Sequence, residues 1–192
     1  MNLTSYTRKT DPRTRYSGQA ARDYDAIRKS KPFWTRQPNQ VKALLVGQSV
    51  LDIPVGSGRF IDCYQGMDFK GIDISPDMLE LARERGWQDL DIGDITNIPV
   101  PDKSFDSVVC VHLMMHLTPD DSPAAAEEMK RVARKAIIVD CHLSSKTLVP
   151  KSGVIRYSRK LFNDIFSGWE VTKSLGSISH PMMRLEPCNP VA

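Results

Sequence analysis

The sequence predicts an α/β fold: a mostly parallel sheet covered by helices on both faces, with an antiparallel hairpin at its C-terminal edge. Three observations lead there. From residue 49 onward, strand-like apolar runs alternate with helical patterns. Runs such as Val108-Val109-Cys110 and Ile137-Ile138-Val139 are continuously apolar, as strands buried on both faces are. The last two strand candidates, 169–175 and 181–185, are joined by a short loop, which suits an antiparallel pair.

The elements follow in order. Residues 1–15 are polar and are expected to be poorly ordered. Tyr16, Ala20, Tyr24 and Ile27 recur at helical spacing and predict a helix over 16–28. Lys31-Pro32-Phe33-Trp34 reads as a turn with two aromatics. After Pro38, the positions of Val41, Leu44 and Leu45 suggest a second short helix. The first core strand covers 50–53 and runs into Gly56 and Gly58, where the backbone can turn sharply into a short helix over about 58–65. A second strand covers 69–74. Ser75 is a good N-cap and Pro76 fits the first helical turn, so a helix starts there, with Met78, Leu79, Leu81 and Ala82 inward and Gly86 as its stop. A short strand over 89–92 and a longer one over 107–112 come next. Ser122-Pro123 repeats the cap-and-proline start for a helix ending near Arg134, before a strand over 136–141 and a helix carrying Leu161, Phe162, Ile165 and Phe166.

At 192 residues the chain reads as one domain, with 1–48 a helical arm or lid and 49–192 the core. Hydrophobic residues at 41% and charged residues at 26% are ordinary for a soluble protein. No apolar stretch reaches the length of a membrane span, and the N-terminus lacks the apolar segment of a signal peptide. Cys63, Cys110, Cys141 and Cys188 are widely spaced, with no Cys-x-x-Cys or Cys/His cluster to suggest a metal, so a reducing cytoplasm is expected. The net charge of +3 hides an asymmetry: residues 1–42 hold ten Lys/Arg against three Asp, a net +7, which leaves −4 on the remainder. Such an arm can attract an anionic partner, such as a phosphorylated metabolite, an RNA or a membrane surface, or be simply a solvated face.

In sheets of this kind ligands bind beyond the carboxyl ends of the strands. Acids cluster there. The first strand ends in Asp52 and the glycine loop, the second in Asp73, and the third in Gly93-Asp94-Ile95; the fourth ends at Val111-His112. Asp73 suits the hydroxyls of a ribose. A dinucleotide would want a third glycine three residues after Gly58, where the chain has Ile61, and three acids would repel its pyrophosphate. A nucleoside with a cationic sulfonium and an amino acid tail fits better, with Asp52 near the tail and Asp94 at the adenine amino group. An NAD-dependent oxidoreductase is therefore the disfavoured alternative.

Residues 50–117 resemble the core of class I S-adenosylmethionine-dependent methyltransferases, and the broad flavour is that of the small quinone-biosynthesis enzymes. The matching pieces are VLDIPVGSGRF, GIDISPDMLELARERG, DIGDITNIPVPDKSFDSVVCVHLMMHL and KRVARKAIIVDCHL, with Tyr24-Asp25 on an N-terminal helix. The resemblance implies a Rossmann-like, doubly wound, seven-stranded sheet and an S-adenosylmethionine site. In that site Asp52, Gly56 and Gly58 meet the methionine part and Asp73 the ribose. Ile74 and Met78 pack on the adenine, Asp94 and Ile95 flank it, and the backbone near Val111 and His112 reaches the tail or the acceptor. Tyr16 and Tyr24 are expected to close the lid. Pro54 stands where the family usually has glycine; it removes one N–H from the loop while stiffening it.

Methyl transfer from a sulfonium needs alignment and exclusion of water, and an acceptor hydroxyl or acidic carbon can use a general base. His112 and His116 are the candidates; His142 is a further rim residue and His180 reads as a loop residue. Met114, Met115, Met182 and Met183 are core or acceptor-pocket residues, and Arg59, Lys130, Arg131, Arg134 and Lys135 are expected to be solvated. The expected function is methylation of a small molecule. The alternatives are an RNA or protein methyltransferase using the basic arm, and a non-catalytic S-adenosylmethionine-binding protein. The chain says nothing of oligomeric state.

Overall fold

The computed structural model describes residues 16–118, 120–148 and 154–189. Arg8, Lys9, Arg13 and Arg15 of the basic arm, and the expected disorder of 1–15, lie outside them. Two helices, α1 (Gln19–Lys29) and α2 (Phe33–Leu44), precede a sheet built from β1 (Ser49–Asp52), β2 (Asp68–Asp73), β3 (Leu90–Ile92), β4 (Phe105–Cys110), β5 (Ala133–Asp140), β8 (Trp169–Ser177) and β9 (His180–Pro187). Between them lie α3 (Pro76–Glu84), α4 (Asp121–Val132), α5 (Arg159–Ile165) and a small parallel pair, β6 (His142–Ser144) with β7 (Arg156–Ser158). The strand order is β3-β2-β1-β4-β5-β9-β8. The first five strands are parallel, and β9 and β8 close the edge antiparallel, as expected.

The apolar runs explain the layering. Side chains alternate along a strand, so Val108 and Cys110 enter one core while Val109 enters the other. On the first face, Leu51, Ile72, Ile137 and Val139 pack under Ala125, Ala126 and Met129 of α4 and Phe162 and Ile165 of α5. On the second, Val50, Ala136 and Ile138 lie under Val41 and Leu44 of α2, Leu79 and Ala82 of α3, and the rings of Phe60, Tyr64 and Trp87. Ser75 caps α3 as the sequence predicts, its hydroxyl accepting the Met78 N–H at 3.3 Å.

Five expectations are corrected. The turn at 31–34 is the start of α2, which begins at Phe33 and carries Pro38 inside it; packing of Val41 and Leu44 outweighs the backbone bond a proline forfeits. The helix after the glycine loop is only a 3₁₀ turn, Ile61–Tyr64. Helix α4 begins at Asp121 after an N-cap at Asp120, and the Thr118 hydroxyl accepts from Asp121 N, while buried Ser122 bonds back to the Thr118 carbonyl and meets the Tyr157 hydroxyl. That helix stops at Val132, and β5 begins at Ala133 with no loop between.

The fifth correction concerns the basic cluster, which is structural rather than merely solvated. Arg131 binds Glu128, Asp102 and the Ile98 and Val100 carbonyls, and Arg134 binds Asp106, Ser49 and the Lys103 carbonyl. Met114, Met115 and Met182 are core residues, as is Met183.

Candidate active site

The strand order reverses between β1 and β4, and the residues beyond those strand ends form the candidate site. Asp52 ends β1 and is 1% exposed. Its Oδ2 accepts the Tyr64 hydroxyl at 3.0 Å, but Oδ1 is buried without a hydrogen-bond partner. Burial pushes its pKa up to about 8, against the Tyr64 hydrogen bond. A buried, half-satisfied carboxylate is costly to keep, and a donor or cation relieves that cost.

Pro54 follows on a cis peptide bond. The two loop glycines differ in what they are for. At Gly58 (φ 76°) a Cβ would come within 2.5 Å of the Trp87 indole, whose Nε1 donates to the Gly58 carbonyl at 2.9 Å. Gly56 (φ 54°) faces open space: nothing lies within 4 Å of where a Cβ would be. Its N–H donates to Asp73 Oδ2 at 2.8 Å, tying the loop to the end of β2. Asp73 Oδ1 accepts from Ser75 N at 2.9 Å. Even so, burial raises the Asp73 pKa to about 6, against bonds from Ser75, Gly56 and Ile74.

The N-terminal helix is latched over this corner. Asp25, buried on α1, accepts from the Ser57 hydroxyl at 2.5 Å and from Arg85 with both oxygens at 2.9 Å, and pairs with Lys29 at 2.8 Å. Burial opposes its ionisation, yet these partners hold its pKa below the usual value. Tyr16 stacks edge-on against Tyr24 with centroids 4.8 Å apart, and its carbonyl accepts the Ser75 hydroxyl at 2.6 Å. Met78 is buried against Ala21 and Leu81 beneath them. Ile74 is half-buried at the end of β2. Asp94 spends Oδ1 on the Thr96 amide and hydroxyl, Ile95 is in the core, and Val111 is buried.

Beyond β4 and β5 the structure brings together groups that the sequence leaves apart. His112 takes a left-handed backbone (φ 65°) and its N–H donates to Asp140 Oδ1 at 2.6 Å. Its Nδ1 lies 3.5 Å from Asp140 Oδ2, and its Nε2 lies 2.8 Å from Gln37 Oε1. Burial pushes the ring's pKa down to about 4, against the pull of Asp140. His180 is not a loop residue: it opens β9, stacks on His142 with centroids 3.9 Å apart, and places Nε2 3.4 Å from Asp140 Oδ2. His116 sits on the 3₁₀ turn Met114–His116, outside this group.

Asp140 is 1% exposed; His180 and His112 outweigh its burial and hold its pKa low. Arg59, expected in solvent, is half-buried over the Phe60 and Trp34 rings and donates to Gln37 Oε1; burial lowers its pKa to about 10 against the pull of Asp140. Gln37, Arg59, Asp140 and His180 are the residues that sequence reasoning missed. One signal was readable: Asp140 ends an apolar run, as Asp52 and Asp73 do.

Comparison with known proteins bears on this arrangement. Residues 51–138 match the family model described as a methyltransferase domain. A demethylmenaquinone methyltransferase of Paenarthrobacter aurescens is 31% identical over 143 residues, covering 70% of this chain and 55% of that protein. The probable tRNA methyltransferase 9B of Homo sapiens is 27% identical over 100 residues, 52% of this chain and 22% of that one. The chain thus spans about half or less of the length of these curated relatives. The fold is also that of magnesium protoporphyrin IX methyltransferase from Synechocystis PCC 6803, solved with S-adenosylhomocysteine bound: TM-score 0.73, 14% identity, 91% of this chain and 97% of that one. Sequence and topology agree, and the chain carries a class I S-adenosylmethionine-dependent methyltransferase domain.

Proposed function

We propose that this domain transfers a methyl group from S-adenosylmethionine to a small-molecule acceptor. The observation that carries the cofactor reading is Asp52 Oδ1, a buried carboxylate oxygen with no partner, next to a Gly56 that leaves its Cβ space empty. A cationic methionine tail suits the first, and close approach to the main chain needs the second. In this reading Asp52 takes the ammonium and Asp73 the ribose hydroxyls. The loop backbone at Pro54, Gly56 and Gly58, with Val111, surrounds the methionine part. The half-buried Arg59 faces the carboxylate of the tail. Ile74 and Met78, with Ile95 and Asp94, flank the adenine, and Tyr24 on the latched helix covers it, with Tyr16 just ahead of that helix packed against Tyr24.

S-adenosylmethionine supplies a sulfonium-bound methyl group as the electrophile. The protein's part is to align the acceptor and exclude water. In this reading neutral His112, turned toward Asp140 beyond β4, stands on the acceptor side.

The relatives include proteins named for small-molecule and for tRNA methylation. The small-molecule reading is favoured because cations of the N-terminal helix are engaged within the fold: Arg22 pairs with Glu84 at 2.9 Å, and Lys29 with Asp25. Among the described residues no helix is long and apolar enough to cross a membrane. The buried free thiols Cys63, Cys110 and Cys141 suit a reducing compartment such as the cytoplasm. The test is an acceptor panel of phenols, quinols and unmodified tRNA, read by S-adenosylhomocysteine release. Turnover of a small molecule supports the reading, and turnover of tRNA alone overturns it.

A further inference from the structure

We propose that His112, Asp140 and His180 form a binding site for one divalent transition-metal ion of the zinc or cobalt(II) type, beside the cofactor pocket. One ligand atom from each of the three residues lies within 4.8 Å of the others, and His112 Nδ1 and His180 Nε2 both face Asp140 Oδ2. Two of them, Asp140 Oδ2 and His180 Nε2, are buried and face each other at 3.4 Å, longer than a good charge-assisted hydrogen bond, with no other hydrogen-bond partner.

The tautomer of His112 follows from its neighbours. A guanidinium can only donate, so the Gln37 atom that meets Arg59 is the oxygen, and the same oxygen must accept from His112 Nε2. The Nε2 proton of the neutral ring is thereby spoken for, and Nδ1 turns a lone pair toward a carboxylate oxygen that also offers only lone pairs. A direct carboxylate–imidazolium hydrogen bond would close to about 2.8 Å. The observed separations are 3.5 Å and 3.4 Å. A tetrahedral ion with bonds of about 2.1 Å holds its ligands about 3.4 Å apart. Asp140 Oδ2 therefore stands from each imidazole nitrogen at the spacing of two ligands around an ion rather than of a donor and an acceptor.

The surroundings also suit a metal. A ligating histidine usually gives its other ring N–H to an acceptor that fixes its plane, as Gln37 does for His112. Asp140 is oriented by the His112 amide on its other oxygen, and the His180 ring is stacked on His142. Two imidazoles and one carboxylate favour zinc-like ions over magnesium or calcium, which take oxygen. The positive charge of nearby Arg59 opposes any bound cation, so only an ion held by strong nitrogen and carboxylate bonds stays. With three protein ligands, a fourth position is open to an acceptor heteroatom. Resting on the methyltransferase reading, the ion then assists as follows: an acceptor hydroxyl bound to it loses its proton to water, its oxygen bonds to the methyl carbon, and the carbon–sulfur bond breaks to leave a neutral thioether.

The test is titration of untagged, chelator-treated protein with Co²⁺ and Zn²⁺, followed by visible absorption and calorimetry, with Mg²⁺ as the contrast. One equivalent of Co²⁺ should give visible bands that Zn²⁺ bleaches and Mg²⁺ does not. His180→Ala, at a partly exposed ring, should weaken binding by at least roughly 100-fold, and Gln37→Ala by about 10- to 100-fold, with unchanged circular dichroism. No uptake by the wild type, or uptake unaltered in His180→Ala, overturns the site. S-adenosylhomocysteine titrated into the same samples reports the cofactor reading separately. Metal binding without nucleoside binding sinks that reading and keeps the metal site; nucleoside binding without metal does the reverse.

Discussion

Replacing Asp73 with asparagine separates the charge of the β2 carboxylate from its shape. The group is buried, and its pKa of about 6 compares with 3.8 for an ordinary aspartate. At roughly 1.4 kcal/mol per pKa unit, ionised Asp73 costs the empty folded protein on the order of 3 kcal/mol at neutral pH. A raised folded pKa gives stability that is present below about pH 4 and is lost as pH rises through 6. Asparagine avoids this cost but turns an NH₂ toward one of two backbone donors, Gly56 or Ser75, a loss of about 1–3 kcal/mol. The stability of the empty variant at pH 7 should therefore change by no more than about 2 kcal/mol.

Cofactor binding should respond far more. Two ribose hydroxyls donating to a carboxylate are charge-assisted, and losing the charge should cost about 3 kcal/mol, roughly 100-fold in Kd. Between pH 7 and pH 5 protonation of Asp73 should weaken S-adenosylhomocysteine binding roughly tenfold in the wild type, on top of the part due to Asp52, whose pKa of about 8 is shared by both proteins. The variant should therefore lose about tenfold less affinity over that range. Calorimetric titrations at pH 5, 6 and 7, beside urea unfolding of the empty proteins, measure both sides. Equal affinities of variant and wild type at pH 7, or a wild-type affinity flat across the range, would refute Asp73 as the ribose residue.

The two loop glycines should part company. Gly58→Ala drives a methyl into Trp87 at a positive φ and should lose about 2–4 kcal/mol in urea unfolding; Gly56→Ala should lose only about 1–2 kcal/mol yet bind S-adenosylhomocysteine much more weakly. Asp106 is held down to about 2: burial opposes ionisation, but Gln48 N, Arg134 and Lys135 outweigh it. Its contribution is present above about pH 4 and lost as pH falls toward 2, so Asp106→Asn should lose on the order of 2 kcal/mol at pH 7 and flatten acid unfolding monitored by circular dichroism. Asp25→Ala removes the latch to Ser57 and Arg85. Hydrogen exchange should then rise selectively across Gln19–Lys29, while uniform exchange across all helices would mean that Asp25 supports the whole fold instead.

Most of the fold could be read from local signals. Val108 to Cys110 and Ile137 to Val139 announce doubly buried strands, and Ser75-Pro76 announces a helix start that the structure keeps. Where the reading failed, tertiary contacts overrode a local rule. Pro38 looks like a helix boundary until Val41 and Leu44 are seen packed on the rings of the opposite elements. The three-residue strands β6 and β7 are too short to show any period.

The acids of the site were visible because each ends an apolar strand. The histidine cluster was not. His112, Asp140 and His180 come from three separate strand ends, and no spacing rule joins residues that only sheet order makes neighbours. Arg59 misled for a similar reason: a charged residue in a loop reads as solvated until two aromatic rings and Gln37 are found around it.

The left-handed turn at His112 has an evolutionary consequence. Asp140 is held there by a main-chain amide, so its placement does not depend on which side chain position 112 carries. Any residue at ease with positive φ, asparagine or glycine among them, can replace the imidazole while the carboxylate stays in register. In the proposed reading the scaffold thereby keeps one fixed charge at the acceptor end and leaves the group beside it open to exchange. On that reading, position 112 is where a small change of sequence redirects such a domain to a different acceptor without rebuilding its core.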